Sequence, residues 1–253
     1  MPALAGRTAV VTGASRGIGH AIALELARAG ARLYLVADEP VAAIDHAAQD
    51  CRAAGAEACD VLRIDLGSPD AARTMIAQAH ARLGRIDILV NNAGIRMRKP
   101  FDQCSVADFD RIVAVNLRAP FLASQAVVPY MRDAGGGRII HIASQMGIVT
   151  HPQIALYSLT KAGLIHLTKS MALELAQHNI QVNAVSPGPA TTEANLRRMH
   201  DDPGVHAERM KYMATDRLVT CEEVAAVVLF LATTDATAIQ GHNLVVDGGY
   251  TLH

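Results

Sequence analysis

Short β-rich runs alternate with longer helical patterns along the whole of this 253-residue chain. The strand candidates are 8–12, 32–36, 58–64, 86–91, 137–142, 180–186 and 243–246, and the helical stretches are 17–29, 41–54, 69–83, 105–132, 155–177 and 222–232. Such alternation is the signature of βαβ units, which lay parallel strands into one sheet with helices on both faces. Runs such as Ile86-Asp87-Ile88-Leu89-Val90 are almost continuously apolar, as strands covered on both sides must be. The expected fold is therefore α/β, a doubly wound seven-stranded parallel sheet flanked by helices. No repeat, low-complexity tract or linker divides it, so residues 1–253 are expected to form one domain. Residues 187–220 are the one long region of weak pattern, expected to be a substrate loop or lid.

Composition narrows the function classes. The chain carries 23 basic and 24 acidic side chains and is 51% hydrophobic, which excludes a disordered chain and any general attraction to nucleic acid or anionic lipid. With 5 Tyr, 4 Phe and no Trp, the core is expected to be aliphatic, a base-stacking platform is not expected, and a functional tyrosine must come from a short list. Cys51, Cys59, Cys104 and Cys221 form no C-x-x-C pair and read as free thiols in a reducing cytosol. The 11 histidines contain no H-E-x-x-H pair, so no catalytic metal is expected. Neither a secretory leader pattern at the start nor a membrane-length apolar stretch is seen, and a cytoplasmic location is the expectation.

Four segments and one serine carry chemistry. After the first strand, Thr12-Gly13-Ala14-Ser15-Arg16-Gly17-Ile18-Gly19 leads straight into a helix. Glycines let backbone approach a ligand, and a helix N-terminus offers unpaired N–H groups, so the segment can cradle a phosphate. The spacing is G-x-x-x-G-x-G and not the commoner G-x-G-x-x-G, and a plain tight turn is the alternative. The second strand ends at Ala37-Asp38-Glu39, where an acid can bind ribose hydroxyls and repel a 2′-phosphate, unless it caps the next helix. This favours NAD over NADP, although Arg16 could pair with a 2′-phosphate. Asn91-Asn92-Ala93-Gly94 closes the fourth strand, where open sheets bind ligands. In Tyr157-Ser158-Leu159-Thr160-Lys161, phenol and ammonium lie four residues apart on one helical face, where the cation can bring the phenol toward working acidity. Ser144, at the end of the fifth strand, could hold a substrate oxygen beside Tyr157.

Taken together, these motifs resemble the classical short-chain dehydrogenase/reductase family in order and spacing over the full chain. Thr12–Gly19 is similar to the family's T-G-x-x-x-G-x-G loop and residues 91–94 to its N-N-A-G; Asn116 stands at its helix asparagine, and Ser144, Tyr157 and Lys161 at its active-site trio. The resemblance implies a Rossmann-type fold and reversible hydride transfer between a nicotinamide cofactor and a secondary alcohol or ketone. Tyr157 would be the general acid/base and Ser144 would orient the substrate. Lys161 would lower the phenol pKa and hold the nicotinamide ribose, and Asn116 would support a proton-relaying water. Cofactor contacts are expected from Gly13, Ser15, Arg16, Gly17, Ile18, Gly19, Asp38, Asn92, Ala93, Gly94, Tyr157 and Lys161. The resemblance adds Asp65 near the adenine and Pro187, Gly188 and Thr192 along the nicotinamide, and it implies a homotetramer.

The loops around this trio are rich in basic and polar groups. They include Arg96, Arg98, Lys99, Gln145, His151 and Gln153, and further on Arg197, Arg198, His200, His206, Arg209 and Lys211. Arg96, Gln145 and His151 are the candidate substrate contacts, and a small polar substrate such as a polyol, sugar or hydroxy acid is expected, with an anionic group as one possibility and a solvated lid surface as the other. A 3-oxoacyl thioester reductase is the alternative enzyme, and a non-catalytic dinucleotide-binding sensor the remoter one.

Overall fold

The computed structural model describes residues 2–252, apart from the side chains of Pro203, Val205 and His206. Its strands are β1 (Thr8–Thr12), β2 (Arg32–Ala37), β3 (Cys59–Arg63), β4 (Ile88–Asn91), β5 (Gly137–Ile142), β6 (Ile180–Pro187) and β7 (Asn243–Val246). They form one parallel sheet in the order β3-β2-β1-β4-β5-β6-β7. The main helices are α1 (Gly17–Arg28), α2 (Val41–Ala54), α3 (Ala71–Leu83), α4 (Val106–Val113), α5 (Ala119–Asp133), α6 (Ala155–Leu175), α7 (Glu193–Asp201), α8 (Pro203–Met210) and α9 (Cys221–Thr233).

Side chains alternate across a strand, and both faces of this sheet are buried, which is why its strands read as continuous apolar runs. Ala9 and Val11 of β1 pack with α1, α2 and α9, whereas Val10 between them packs with α3, α5 and α6. All five residues of β1 are buried. Strand order reverses between β1 and β4, and at such a switch point the crevice at the carboxyl ends of the strands takes ligands. The glycine loop, Asp38, Asn92, Ser144 and Pro187 all stand at those ends.

The stretch expected as one helix over 105–132 is interrupted. Ser105 Oγ accepts from the Asp108 N–H at 3.1 Å and closes a capping box, so α4 starts where the sequence signals it. A wider π turn, Ala114–Arg118, then separates α4 from α5 and carries Asn116. Among the described residues this run, Val106–Asp133, alone is long and apolar enough to cross a membrane, and half of its most apolar stretch is packed inside the protein. The weak-pattern region gains two helices, α7 and α8, that the sequence reading did not contain. No residue of α7 is buried, so the apolar stripe that reveals a helix is missing there.

Candidate active site

At the end of β1 the chain turns through Gly13 (φ +65°) and Gly17 (φ +56°) before entering α1. A Cβ on Gly19 would lie 2.1 Å from the Gly13 carbonyl oxygen and 2.4 Å from Asn92 Nδ2, so only glycine allows this close approach. Asn92 fastens the turn: its Nδ2 donates to the carbonyls of Thr12 (2.8 Å) and Gly13 (3.1 Å), while the Asn92 and Ala93 N–H groups donate to Thr12 Oγ1. The first turn of α1 has neither a side-chain cap nor an acidic residue. Its N–H groups and the glycine-lined surface fit a pyrophosphate, which would satisfy those donors. Gly13, residues 15–19, Asp38, Asp65, residues 92–94 and Thr192 line one cleft of roughly 460 Å³, large enough for a nucleotide.

The cations and acids of this cleft pair with one another. Arg16 Nη2 lies 2.7 Å from Glu39 Oε1, and Ser15 Oγ donates to Glu39 as well. Asp38 is exposed beside them. Neither acid caps α2: its N-cap is Pro40, with no side-chain cap. Asp65 accepts from Arg111 Nη1 at 2.8 Å and from the Gly67 N–H at 2.8 Å, and Arg111 chiefly holds its carboxyl below the usual value. Arg111 thus lines the cleft on the strength of tertiary placement that the sequence does not signal.

A second cavity of roughly 320 Å³ adjoins the first, sharing Ile18, Asn92, Gly94, Ile95, Thr192 and Ala194 with it. Ser144, Tyr157 and Lys161 line it together with Pro187, Gly188, Arg96, Gln145 and His151. Ser144 Oγ donates to Gln145 Oε1 (3.0 Å) and accepts from the Met146 N–H (3.1 Å), which fixes its hydroxyl at the end of β5. Lys161 is buried on α6 and donates to the Ile142 carbonyl at 2.8 Å. Burial pushes its ammonium down to about 8.

Burial raises the Tyr157 phenol above its ordinary value, and the groups opposing that are the Ser144 hydrogen bond and the Arg96 guanidinium. Lys161 is not among them. Its Nζ, 5.8 Å from the ring centroid, is directed to the Ile142 carbonyl, whereas Arg96 Cζ stands 5.9 Å from the same centroid. The Asn116 amide protons are engaged within the protein. They go to the Ile95 carbonyl (2.9 Å) and Thr160 Oγ1 (3.2 Å), while Asn116 Oδ1 accepts from the Ile95 N–H (2.8 Å). Asn116 therefore braces the segment after β4 against α6.

The basic loops divide. Arg98, Arg198 and Arg209 line the second cavity, as do Glu208 and Tyr250, which the sequence reading passed over. Arg197 pairs outward with Glu193, Lys99 pairs with Asp108 at 2.6 Å, and His200 and Lys211 are exposed. His151 Nε2 lies 3.0 Å from Glu208 Oε1, and Gln145 serves as the partner of Ser144. The side chain of His206 lies outside those described.

A nucleotide-sized cleft opening onto a phenol, a hydroxyl and a buried ammonium defines a site of the dinucleotide-dependent oxidoreductase class. Comparison with known proteins agrees. A family model described as enoyl-(acyl carrier protein) reductase matches residues 13–251. The chain is 36% identical to D-beta-hydroxybutyrate dehydrogenase of Rhizobium meliloti over 97% of this chain and 98% of that protein. It is 38% identical to D-threitol dehydrogenase of Mycolicibacterium smegmatis over 98% of this chain and 94% of that protein. A solved structure from Beutenbergia cavernae, described as a candidate NAD(P)-dependent gluconate 5-dehydrogenase with bound NADP at low occupancy, superposes with a TM-score of 0.93 at 33% identity, covering 100% of both chains. The chain belongs to the short-chain dehydrogenase/reductase family. It is an NAD(P)-dependent oxidoreductase of alcohols and ketones.

Proposed function

We propose that Ser144, Tyr157, Lys161 and Asn116 form the reaction centre for interconverting a small polar secondary alcohol, such as a polyol, sugar or hydroxy acid, and its ketone, with NAD preferred. The observation that carries this is that the cavity lined by Ser144, Tyr157 and Lys161 adjoins the glycine-lined cleft and shares Asn92, Gly94 and Thr192 with it. The nicotinamide, when bound, accepts or supplies the hydride. Tyr157 passes the proton at its phenol oxygen to or from the substrate oxygen, and Ser144 holds that oxygen in place. Lys161 would hold the ribose, and Asn116 keeps the wall around Ile95 in position. Gly13, Ser15, Gly17, Ile18 and Gly19 cradle the pyrophosphate, Asp65 borders the adenine, and Pro187, Gly188 and Thr192 flank the nicotinamide. Residues 187–220 cover the substrate within a single 1–253 domain. The relatives named for hydroxybutyrate and threitol favour a small polar substrate over an acyl thioester. A cytoplasmic homotetramer, its long helices α4–α5 and α6 packed against a neighbour, completes the proposal.

NAD preference follows from charge. Arg16, the one cation of the glycine loop, is already neutralised by Glu39, and Asp38 adds a second negative charge where a 2′-phosphate would sit. A screen of sugar alcohols, hydroxy acids and acyl thioesters, read by nicotinamide absorbance with each cofactor, tests both parts. Turnover of a polyol or hydroxy acid is expected, with kcat/KM at least about tenfold higher for NAD. Glu39→Gln frees Arg16 and is expected to reduce that preference about tenfold, one lost charge pair at a half-exposed site. Equal or better use of NADP by the unaltered enzyme would overturn the cofactor assignment, and turnover of thioesters alone the substrate assignment.

A further inference from the structure

The substrate cavity has a strongly one-signed wall. Arg96 and Arg98 follow β4, Arg198 sits on α7 and Arg209 on α8, yet all four line the same space as Ser144 and Tyr157. Glu208 is the one carboxylate among the described lining residues, and its Oε1 is 3.0 Å from His151. Among the described residues, none of the four guanidiniums has a salt bridge, and the Nη1 atoms of Arg198 and Arg209 are buried with no hydrogen-bond partner. Elsewhere, Arg32, Arg52, Arg118 and Arg138 lack a carboxylate but donate to backbone carbonyls. Arg16, Arg111 and Arg217 each have a carboxylate, and so does Arg197, the neighbour of Arg198.

Gathering like charges in a recess and leaving buried donors unmet costs stability, unless a ligand supplies the acceptors. The cost is visible in the charge states. Burial, together with Arg198, Arg209 and Arg98, pushes the Arg96 guanidinium down to about 10, and burial with Arg198 and Arg98 lowers Arg209 too. A guanidinium offers paired N–H donors that match the oxygens of a phosphate or carboxylate. Four guanidiniums and the Lys161 ammonium against one carboxylate leave a surplus of four charges, which a neutral polyol leaves untouched and a single carboxylate reduces only to three.

We propose that Arg96, Arg98, Arg198 and Arg209 form an anion subsite for a doubly charged oxyanion, a phosphate monoester or a pair of carboxylates, at the far end of the alcohol or ketone substrate. The inference rests on reading Ser144 and Tyr157 as the reaction centre, and it specifies the substrate as a dianion within the polar class.

The test is calorimetric titration of the NADH-loaded enzyme with inorganic phosphate, succinate, acetate and D-threitol. Phosphate or succinate is expected to bind at least about tenfold more tightly than acetate or threitol, and which of the two binds identifies the source of the charge. Arg198→Ala/Arg209→Ala is expected to weaken that binding about 100-fold, the scale of two partly screened charge-assisted hydrogen bonds, with NADH affinity retained. Retained NADH affinity also shows that the variant is folded, and Arg198→Met and Arg209→Met singly should each give part of the loss. Equal binding of threitol or acetate, or undiminished dianion binding by the double variant, overturns the subsite. The two readings fail separately: dianion binding with no turnover of any alcohol refutes the reaction centre alone, whereas turnover of neutral alcohols without dianion selectivity refutes the subsite alone.

Discussion

Tyr157→Phe is expected to lower kcat/KM about 1,000-fold in both directions while NADH binds as before, because the ring stays and only the proton carrier is lost; positioned acid–base groups contribute about 100- to 10,000-fold. Folding should be little affected, since the phenol's partner on the protein, Ser144, keeps its bonds to Gln145 and the Met146 N–H. The pH dependence gives the sign. Burial holds the phenol above its ordinary value of 10.0. Alcohol oxidation, which needs the phenolate as base, should therefore rise with pH across the neutral and alkaline range. Ketone reduction needs the protonated phenol and should stay level there. In Tyr157→Phe the rise in oxidation should disappear. Steady-state rates from neutral to alkaline pH, with NADH titrated by fluorescence, check all three points.

The second large effect concerns stability, at the end of the sheet opposite the site. Asp87 is 6% exposed and ties β1 to the start of β4. It accepts from Arg7 (2.9 Å), Arg85 Nε (3.0 Å) and the Thr8 N–H (2.9 Å). Burial alone would raise its carboxyl, but the hydrogen bonds from Arg85, Thr8 and Arg7 together hold it below its usual 3.8. Its contribution to stability is therefore complete above that value and is lost as pH falls through the lower, folded-state value. Asp87→Asn is expected to cost about 2–3 kcal/mol at neutral pH, mainly from weakened bonds to Thr8 and two cations; Arg7 and Arg85 are half exposed and rehydrate, which keeps the cost below that of a fully buried pair. Denaturant unfolding at neutral pH and again below pH 4 should show the gap between the two proteins closing on acidification.

Much of the fold was legible because short, almost continuously apolar strand runs alternate with longer helical patterns. β1, α2, β5 and β7 begin and end where the sequence places them, and that alternation marks most other boundaries to within two residues. α7 and α8 escaped because they lie over the cavity without a buried stripe. The π turn at 114–118 escaped because a one-residue widening leaves apolar spacing almost unchanged. In the site, the trio and the glycine loop are local motifs and could be read directly. Arg111 against Asp65, Glu208 against His151 and Tyr250 beside Arg209 are pairings between distant segments, and no spacing encodes them. The same limit explains Lys161. One turn of helix puts it near Tyr157, but the Ile142 carbonyl that captures its ammonium comes from another element.

Hydride is proposed to pass between a nicotinamide and a substrate carbon held at Ser144 and Tyr157. A single-turnover reaction with NADH deuterated on the transferring face of C4, using a ketone substrate found in the screen, tests it most directly. Slowed transfer relative to unlabelled NADH is expected, with the deuterium recovered on the carbinol carbon, and both should be lost in Tyr157→Phe over the same interval. Full-rate transfer in Tyr157→Phe, or a product without deuterium on that carbon, would contradict it.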